Sequence, residues 1–500
     1  MLDLKPASFD DFLREARRGN VVPVVRSVMA DLQTPVGAFM RIAAGARYAF
    51  LLESVEGGER LARYSFLSAN PEMIVRGRGS DTIVEREGNS ELLRNVRPIE
   101  FARTYFKDRE LARRGGLAPL SGGAVGYIGY EAARWFEPVL ETEGDKHAEV
   151  DDAVWMFYRT MLAFDRVRQR IEITSIVLTE EADGSHDRLR ELYQRAVEET
   201  ARIEKVLNSR VPKPRETRRV VRDAVFESNW TREEFEAAVR RVQEYITAGD
   251  CYQVVLSQRL SKAVVVDPLQ IYRALRSTNP SPYMFFYRLG DETIIGASPE
   301  MLVRCRGQRL NYRPIAGTRR RGSTETEDWL LGEEMRTDEK EVAEHVMLVD
   351  LGRNDLGRVS DYASVEVEDL MSVERYSHVQ HLVTSLRSRL RNDRDRFDAL
   401  ASCFPAGTVT GAPKLRAMEI IRELEPSTRG VYAGAILYMD YAQNLDSCIA
   451  IRTIAIRDGR AHVQAGAGLV ADSVPEREYE ETVNKARALL RAIELAEKGL

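Results

Sequence analysis

Hydrophobic positions follow two different periods along the chain, and the change from one to the other divides it. Up to about residue 175 the apolar residues come in short runs, among them Tyr48-Ala49-Phe50-Leu51-Leu52-Glu53-Ser54 and Ala153-Val154-Trp155-Met156-Phe157-Tyr158, separated by glycine-containing turns. Such runs predict strands, and together a sheet-based domain. Residues 187–207 change to the period of one amphipathic helix, after which Asn208–Glu216 gathers polar residues around Pro212 and Pro214 and reads as a linker. A second unit opens at Thr231-Arg232-Glu233-Glu234, a capping-box pattern, with Phe235, Val239, Val242 and Ile246 on one helical face and Gly249 at the end. The predicted organisation is 1–207, a connector at 208–225, and 226–500.

Within the second unit, strands are predicted at Tyr252–Leu260, Tyr283–Arg288, Thr293–Ala297, Met301–Arg306, Val431–Met439, Cys448–Ile456 and Arg460–Ala465, alternating with helices. Short turns near residues 290, 299 and 307 join consecutive strands, which favours antiparallel pairing over a doubly wound parallel sheet. The expected fold class is α+β, with large, mainly antiparallel sheets packed with helices and an associated N-terminal sheet domain. One stretch interrupts the periodicity: Cys403-Phe404-Pro405-Ala406-Gly407-Thr408-Val409-Thr410-Gly411-Ala412-Pro413-Lys414 precedes a helix marked by Leu415, Met418, Ile421 and Leu424 and stopped at Pro426. Backbone amides at a helix start attract anions, and a cation such as Lys414 is unfavourable there unless an anion joins it. The stretch is either a loop facing a carboxylate or phosphate, or an ordinary glycine-containing connection.

Composition narrows the setting. In 500 residues, 44% apolar and 30% charged content describe a globular protein with a large core, and a net charge of −5 gives no general reason to bind nucleic acid or an anionic membrane. The first twenty residues lack the apolar run of a signal peptide, and no stretch approaches a membrane span. Cys251, Cys305, Cys403 and Cys448 lie far apart, without the spacings of zinc or redox motifs, so a reducing cytoplasm is expected.

Several side chains are candidates for chemistry. Glu341 and Glu344, like Glu478 and Glu481, stand three apart on predicted helices, so each pair shares a face; such pairs are either solvated acidic faces or oxygen ligands for magnesium. His345 sits among apolar neighbours and reads as a core histidine, whereas His378 and His381 lie on opposite faces of a predicted strand, where one imidazole can be structural and the other an acid or base. Glu300, at a turn between two apolar strands, is placed for burial and a raised pKa. Arg452 interrupts the run Ile449–Ile456, and a buried guanidinium needs an anionic partner, either a ligand carboxylate or a structural Asp or Glu. Gly466-Ala467-Gly468 fits close backbone approach to a ligand or a β-bulge.

The stretch 404–414, Pro314-Ile315-Ala316-Gly317-Thr318-Arg319, Leu351-Gly352-Arg353-Asn354-Asp355-Leu356-Gly357-Arg358 and Gly466-Ala467-Gly468 together resemble the chorismate-utilising enzymes, and among them most closely the anthranilate synthase large subunits. The resemblance is strong over about residues 230–490 and looser before them. It implies a magnesium site at Glu344 and Glu481, with Glu341 and Glu478 beside them, holding the ring carboxylate of chorismate. It implies substrate contacts at Gly317, Thr318, Tyr432, Arg452 and the backbone of Gly466, Ala467 and Gly468. Glu300 matches the acid that helps the ring hydroxyl leave, His381 a residue tied to pyruvate elimination, Lys485 a lysine near the metal, and Thr408 faces the same ligand.

Two substitutions separate the branches of the family. Gln253 stands where isochorismate- and salicylate-forming relatives use a lysine to activate water. Ala316 stands where aminodeoxychorismate synthases carry a nucleophilic lysine, and alanine cannot form that covalent intermediate. The resemblance then implies attack of ammonia at ring C2, loss of the C4 hydroxyl and elimination of pyruvate to give anthranilate. It further implies tryptophan feedback between a wall resembling Leu52, Glu53 and Ser54 and another resembling Pro282, Tyr283 and Met284. No cysteine has the surroundings of a glutaminase nucleophile, so the ammonia is expected from a separate glutamine amidotransferase subunit in a hetero-oligomer. The alternatives are an aminodeoxychorismate synthase, disfavoured by Ala316, and a silent tryptophan-sensing subunit, disfavoured by the acidic pairs, Glu300 and His381.

Overall fold

Antiparallel sheets often leave one face to water, but the apolar runs of this chain belong to strands covered on both sides. Every residue of Ala153–Tyr158 and of Gly123–Ile128 is buried. A computed structural model, describing residues 3–54, 63–113, 115–141, 150–212, 226–376 and 379–499, shows the reason. Among the described residues two large antiparallel sheets form, one of thirteen strands and one of twelve. Their inner faces meet: Phe50, Phe66, Phe285 and Tyr287 of the first pack against Val125, Tyr127, Met156 and Tyr158 of the second. The alternate residues face helices. Leu51, Leu67, Phe286 and Ile295 meet the helices Pro268–Thr278 and Pro475–Lys498 on one outside; Val75, Trp155, Phe157 and Leu437 meet Pro98–Lys107, Arg396–Cys403 and Lys414–Leu424 on the other. The period-2 pattern of the strands thus gives an α+β fold of helix, sheet, sheet and helix layers.

Both sheets run through the predicted division at 208–225. Tyr48–Glu53 pairs with Tyr283–Leu289 in the first, and Gly123–Ile128 pairs with Ala435–Asp440 in the second. Most of the predicted linker, 213–225, lies outside the described residues. The helix expected at 187–207 spans His186–Leu207, and the capping box forms as expected, with Thr231 and Glu234 exchanging backbone and side-chain bonds.

Two predicted strands are corrected, and both corrections matter for the site. Val431–Gly434 is a turn, so the strand begins at Ala435. The run Cys448–Ile456 is two strands: Leu445–Ile449 lies in the second sheet and Thr453–Arg457 in the first, with Arg452 between them at φ 51°. Apolar periodicity carries no mark at this crossing because the residues on either side are buried alike. Next to it, Glu292–Ser298 of the first sheet continues through Pro299 and Glu300 into Met301–Arg306 of the second. The two crossings are tied to each other: Ile449 N–H donates to Glu300 O at 3.0 Å, Ala297 N–H to Arg452 O at 3.1 Å, and Ser298 Oγ to Ile449 O at 2.7 Å. Strands that change sheet in this way form a corner of the sandwich. Among the described residues no helix is long and apolar enough to cross a membrane.

Trp155 is fully buried in a central strand of the second sheet. Trp155→Ala is expected to cost about 3–5 kcal/mol of stability, and Trp155→Phe much less, because the phenylalanine refills most of the volume. The urea unfolding midpoints of the two variants check this, and equal midpoints would contradict the packing described.

Candidate active site

A cavity of about 1500 Å³ opens at the double crossing, with Glu300, Ile451 and Arg452 in its wall. A second wall comes from the paired strands Gln253–Ala263 and Arg460–Leu469, where Val255 lies opposite Gly468 and Ser257 opposite Gly466. Gln253, Gln464, Gly466 and Gly468 line the cavity, while Ala467, on the alternate face, is buried in the core and does not. The glycines are required by their neighbours: a Cβ at Gly466 would lie 2.9 Å from the Tyr432 hydroxyl, and one at Gly468 2.8 Å from Gln253 Nε2. Gly317 and Thr318 enter from the Ile315–Arg320 strand and His381 from Val379–Arg389, at a bulge between Ala316 and Thr318 where Gly317 takes φ 71°. Thr408 and Tyr432 complete the lining from loops.

Glu341 and Glu344 reach the cavity from the Glu339–Gly357 helix, and Glu478, Glu481 and Lys485 from Pro475–Lys498. Burial raises the pKa of Glu344, Gln253 opposes this with a 3.4 Å hydrogen bond to Oε1, and the charges of Glu341 and Glu481 raise it further. Burial, with the charge of Glu481, also raises Glu478. Two cations answer this charge: Arg319 meets Glu341 at 2.7 Å, and Lys485 meets Glu481 at 2.7 Å while donating to Gly466 O at 3.0 Å. Among the described residues no three acidic, histidine or cysteine side chains converge as a ready-made metal cage. Four carboxylates from two helices facing one cavity still fit magnesium, which keeps several waters and takes only one or two protein carboxylates.

Glu300 is 5% exposed, and burial pushes it up to about 8, opposed by the Thr408 hydroxyl and the Ile315 backbone. The hydroxyl of Thr408 lies beside this carboxyl, yet it is buried without a hydrogen bond of normal geometry to any described group. Arg452 has its pKa lowered by burial, with Tyr432 opposing, and forms no ion pair among the described residues. A guanidinium half-buried in the cavity wall, with no protein anion among the described residues, marks a place for an anionic, oxygen-rich ligand. His381 is held neutral by burial, opposed by its bond to Gly317 and reinforced by the charge of Arg452. Its Nδ1 lies 3.1 Å from Gly317 O and 3.1 Å from Thr318 Oγ1. A carbonyl only accepts, so Nδ1 carries the proton and Nε2 keeps a free lone pair.

Other expectations resolve differently. Lys414 Nζ binds Asp355 Oδ2 at 2.8 Å, so the anion at the start of that helix is a structural carboxylate. His345 is a core histidine, with Nε2 2.6 Å from Thr384 Oγ1 and a pKa pushed down to about 4 by burial. His378 lies outside the described residues. Gln464 and Val409 line the cavity but were not singled out from the sequence; strand alternation with Gly466 and Gly468 was the signal for Gln464, and nothing local marks Val409.

A second cavity, of about 490 Å³, lies between the sheets and brings together Leu52, Glu53, Ser54, Pro282, Tyr283 and Met284. The Glu53 carboxylate accepts from Tyr272 at 2.7 Å and from Arg276 at 3.0 Å, so it is already occupied. Ser54 Oγ is buried without a partner among the described residues. Across the cavity Asp446 accepts from Arg304 at 2.7 Å and from Tyr283 at 3.3 Å. Arg304 and Asp446 stand opposite each other on Met301–Arg306 and Leu445–Ile449, the strands that leave the first cavity at the double crossing.

The family model for chorismate binding enzymes matches residues 47–491. Anthranilate synthase component 1 of Acetivibrio thermocellus is 45% identical over 494 residues, covering 98% of each chain. The protein of the same name from Pseudomonas aeruginosa is 42% identical over 501 residues, covering 98% of this chain and 99% of its own. Among solved structures, anthranilate synthase component I of Streptococcus pneumoniae superposes with a TM-score of 0.73 at 35% identity, over 92% of this chain and 98% of its own. The menaquinone-specific isochorismate synthase of Escherichia coli shares the fold, with a TM-score of 0.69 at 19% identity over 98% of this chain and all of its own. The chain belongs to the chorismate-binding enzymes, on their anthranilate synthase component I branch.

Because Glu300 holds its proton more tightly when folded (about 8) than at its ordinary value of 4.5, its contribution to stability is fully present below pH 4.5 and is lost as pH rises through about 8. Glu300→Gln, which cannot ionise, is therefore expected to unfold at a higher temperature than the unmodified chain at pH 8. The gap should close toward pH 4.5, and a gap independent of pH in parallel thermal melts would contradict the burial of this carboxyl.

Proposed function

We propose that the first cavity converts chorismate and ammonia to anthranilate and pyruvate with magnesium, and that tryptophan bound in the second cavity inhibits it. The observation that carries this reading is the presence, in one cavity, of a buried carboxyl that keeps its proton at neutral pH and a half-buried guanidinium that has no protein anion among the described residues. A dicarboxylate with a hydroxyl leaving group needs both. Arg452 and the Tyr432 hydroxyl receive one substrate carboxylate beside the glycine backbone of Gly466 and Gly468, and the faces of Glu344 and Glu481 would hold magnesium, which neutralises the other carboxylate. Glu341 and Glu478 stand beside them, and Lys485 balances Glu481.

The proton steps fall to this chain. Ammonia adds at C2 and the C4 hydroxyl leaves with the proton of Glu300, so water departs in place of hydroxide. The C2 proton and the ring C3–O bond to the enolpyruvyl group are then lost together, giving an aromatic ring and the enolate of pyruvate, which takes a proton at its methylene carbon to become pyruvate. His381 Nε2, with its free lone pair, accepts the C2 proton and can return it to the enolate. Gln253 offers an amide where water activation would need a base, and Ala316 leaves no nucleophile for a covalent route. Thr408, whose hydroxyl lies beside the Glu300 carboxyl, can offer that hydroxyl to the ligand.

The source of ammonia lies in another subunit. All four cysteines are free and buried, and burial pushes the thiols of Cys305 and Cys403 up to about 12 and that of Cys448 higher still. Thiols this far from ionisation are inert toward glutamine, which supports a separate glutamine amidotransferase as partner. For tryptophan, the second cavity offers aromatic walls and the unsatisfied Ser54 hydroxyl.

Purified chain with chorismate, magnesium and ammonium salts is expected to form fluorescent anthranilate, while glutamine alone gives none; a 4-amino product, or no turnover, would overturn the assignment. Glu481→Gln should reduce magnesium-dependent turnover by two orders of magnitude or more. Ser54→Phe should fill the second cavity and raise the tryptophan concentration for half inhibition at least tenfold, with the uninhibited rate within about twofold of the starting chain; unchanged inhibition would place the regulatory site elsewhere.

A further inference from the structure

Behind the cavity wall lies a charged pair that does not touch the cavity. Arg429 is 4% and Glu425 3% exposed, they meet at 2.6 Å, and neither lines the cavity. A guanidinium has five N–H donors, and the bonds of Arg429 account for four of them. Nε donates to Glu425 Oε2 at 2.9 Å, and the two hydrogens of Nη2 go to Glu425 Oε1 at 2.6 Å and Val255 O at 2.7 Å. Nη1 donates to Val409 O at 2.7 Å. The guanidinium also lies 5.6 Å from the ring centre of Tyr432 and 4.6 Å from that of Tyr130. On its far side Glu425 Oε1 accepts from Ser257 N at 2.8 Å and Ser257 Oγ at 2.7 Å, and that hydroxyl accepts from Gln464 Nε2 at 2.8 Å.

Val255, Val409, Tyr432 and Gln464 all line the cavity, and they come from segments that are distant in sequence. They meet at one buried ion pair. A buried pair of this kind is a poor source of stability, since apolar residues of equal volume often serve as well or better; what it supplies is a fixed geometry, set by the directions of the guanidinium donors. Val409 follows Thr408 in the chain, so the bond from Nη1 anchors the backbone that carries the Thr408 side chain.

We infer that Arg429, oriented by Glu425, is a positioning residue of this enzyme. It holds the loop of Thr408, the strand of Gln253 and Val255, and the ring of Tyr432 at the separation the substrate requires, without touching the substrate. The inference rests on the reading of the first cavity as the place where chorismate reacts.

The experiment is a double-mutant cycle between Arg429→Lys and Thr408→Ala, with Glu425→Gln as a second probe of the pair. Lysine keeps the charge but cannot reach both carbonyls and the carboxylate in one plane. Near-UV circular dichroism and the thermal midpoint report folding, and steady-state rates with chorismate, magnesium and ammonium report function. Arg429→Lys is expected to stay folded and to lose at least tenfold in kcat, with KM for chorismate changing less than threefold. In the Thr408→Ala background the same substitution should cost clearly less than in the unmodified chain, because one of the groups it displaces, the Thr408 hydroxyl, is already gone while the Val255 strand and the Tyr432 ring still respond. Independent, multiplying effects would overturn the inference, as would a wild-type rate in Arg429→Lys. Loss of native dichroism in both Arg429→Lys and Glu425→Gln, in parallel with activity, would make the pair a folding element and overturn it equally. Failure of the functional reading shows separately: the unmodified chain would then form no anthranilate, and the cycle is scored on whatever product it makes from chorismate.

Discussion

Two adjacent strand crossings set the terms for the rest of the molecule. The chain passes from one sheet to the other at Pro299-Glu300 and again at Ala450-Ile451-Arg452, and backbone bonds between the two crossings hold them at the same level. A backbone that leaves one ladder before joining the next exposes groups that neither sheet satisfies, and sandwiches tolerate this only at a corner. Here the corner places an acid and a guanidinium in the wall of one large cavity. Position in the fold, more than residue type, gives Glu300 its proton at neutral pH and deprives Arg452 of a protein anion.

Burial then acts on each ionisable group according to what faces it. Glu300 has only a hydroxyl and a backbone bond to favour its charged form, and its pKa rises; Glu344 rises beside like charges. Arg429 has a carboxylate in a two-point grip and two carbonyls, and stays charged in the core. The cavity thus keeps Arg452 without a protein anion in its wall and a paired, hydrogen-bonded Arg429 behind the wall, two guanidinium groups that burial treats differently because of what faces them.

Much of this was legible in the chain. Apolar runs located central strands of both sheets, such as Tyr48–Glu53, Ala153–Tyr158 and Tyr283–Leu289, the Thr231–Glu234 box located a helix start, and the motif glycines at 317, 466 and 468 sit where a side chain would be strained or would strike Tyr432, Gln253 or the Glu341 carboxylate. The crossing at Arg452 was not, because a strand buried on both faces reads as one apolar run whether or not it changes sheet midway. Alternation turns the Ala467 side chain to the core, so only its backbone is left to face the cavity side of the strand. Arg429 was invisible for another reason: its partners, Glu425 apart, are backbone carbonyls and rings brought together only by the fold, and no sequence pattern records a carbonyl's direction.

Met301–Arg306 and Leu445–Ile449 run from the first cavity to the second, with Arg304 and Asp446 at the far end and Glu300 and Arg452 at the near one. These strands are therefore subject to two selective demands at once, and mutational freedom within them is narrow. Under the proposed control by a second-cavity ligand, escape is easier at Ser54, which lies just beyond Tyr48–Glu53 and outside both crossing strands. Variation among descendants of this sequence should thus gather on one side of the second cavity, leaving the shared side to drift slowly.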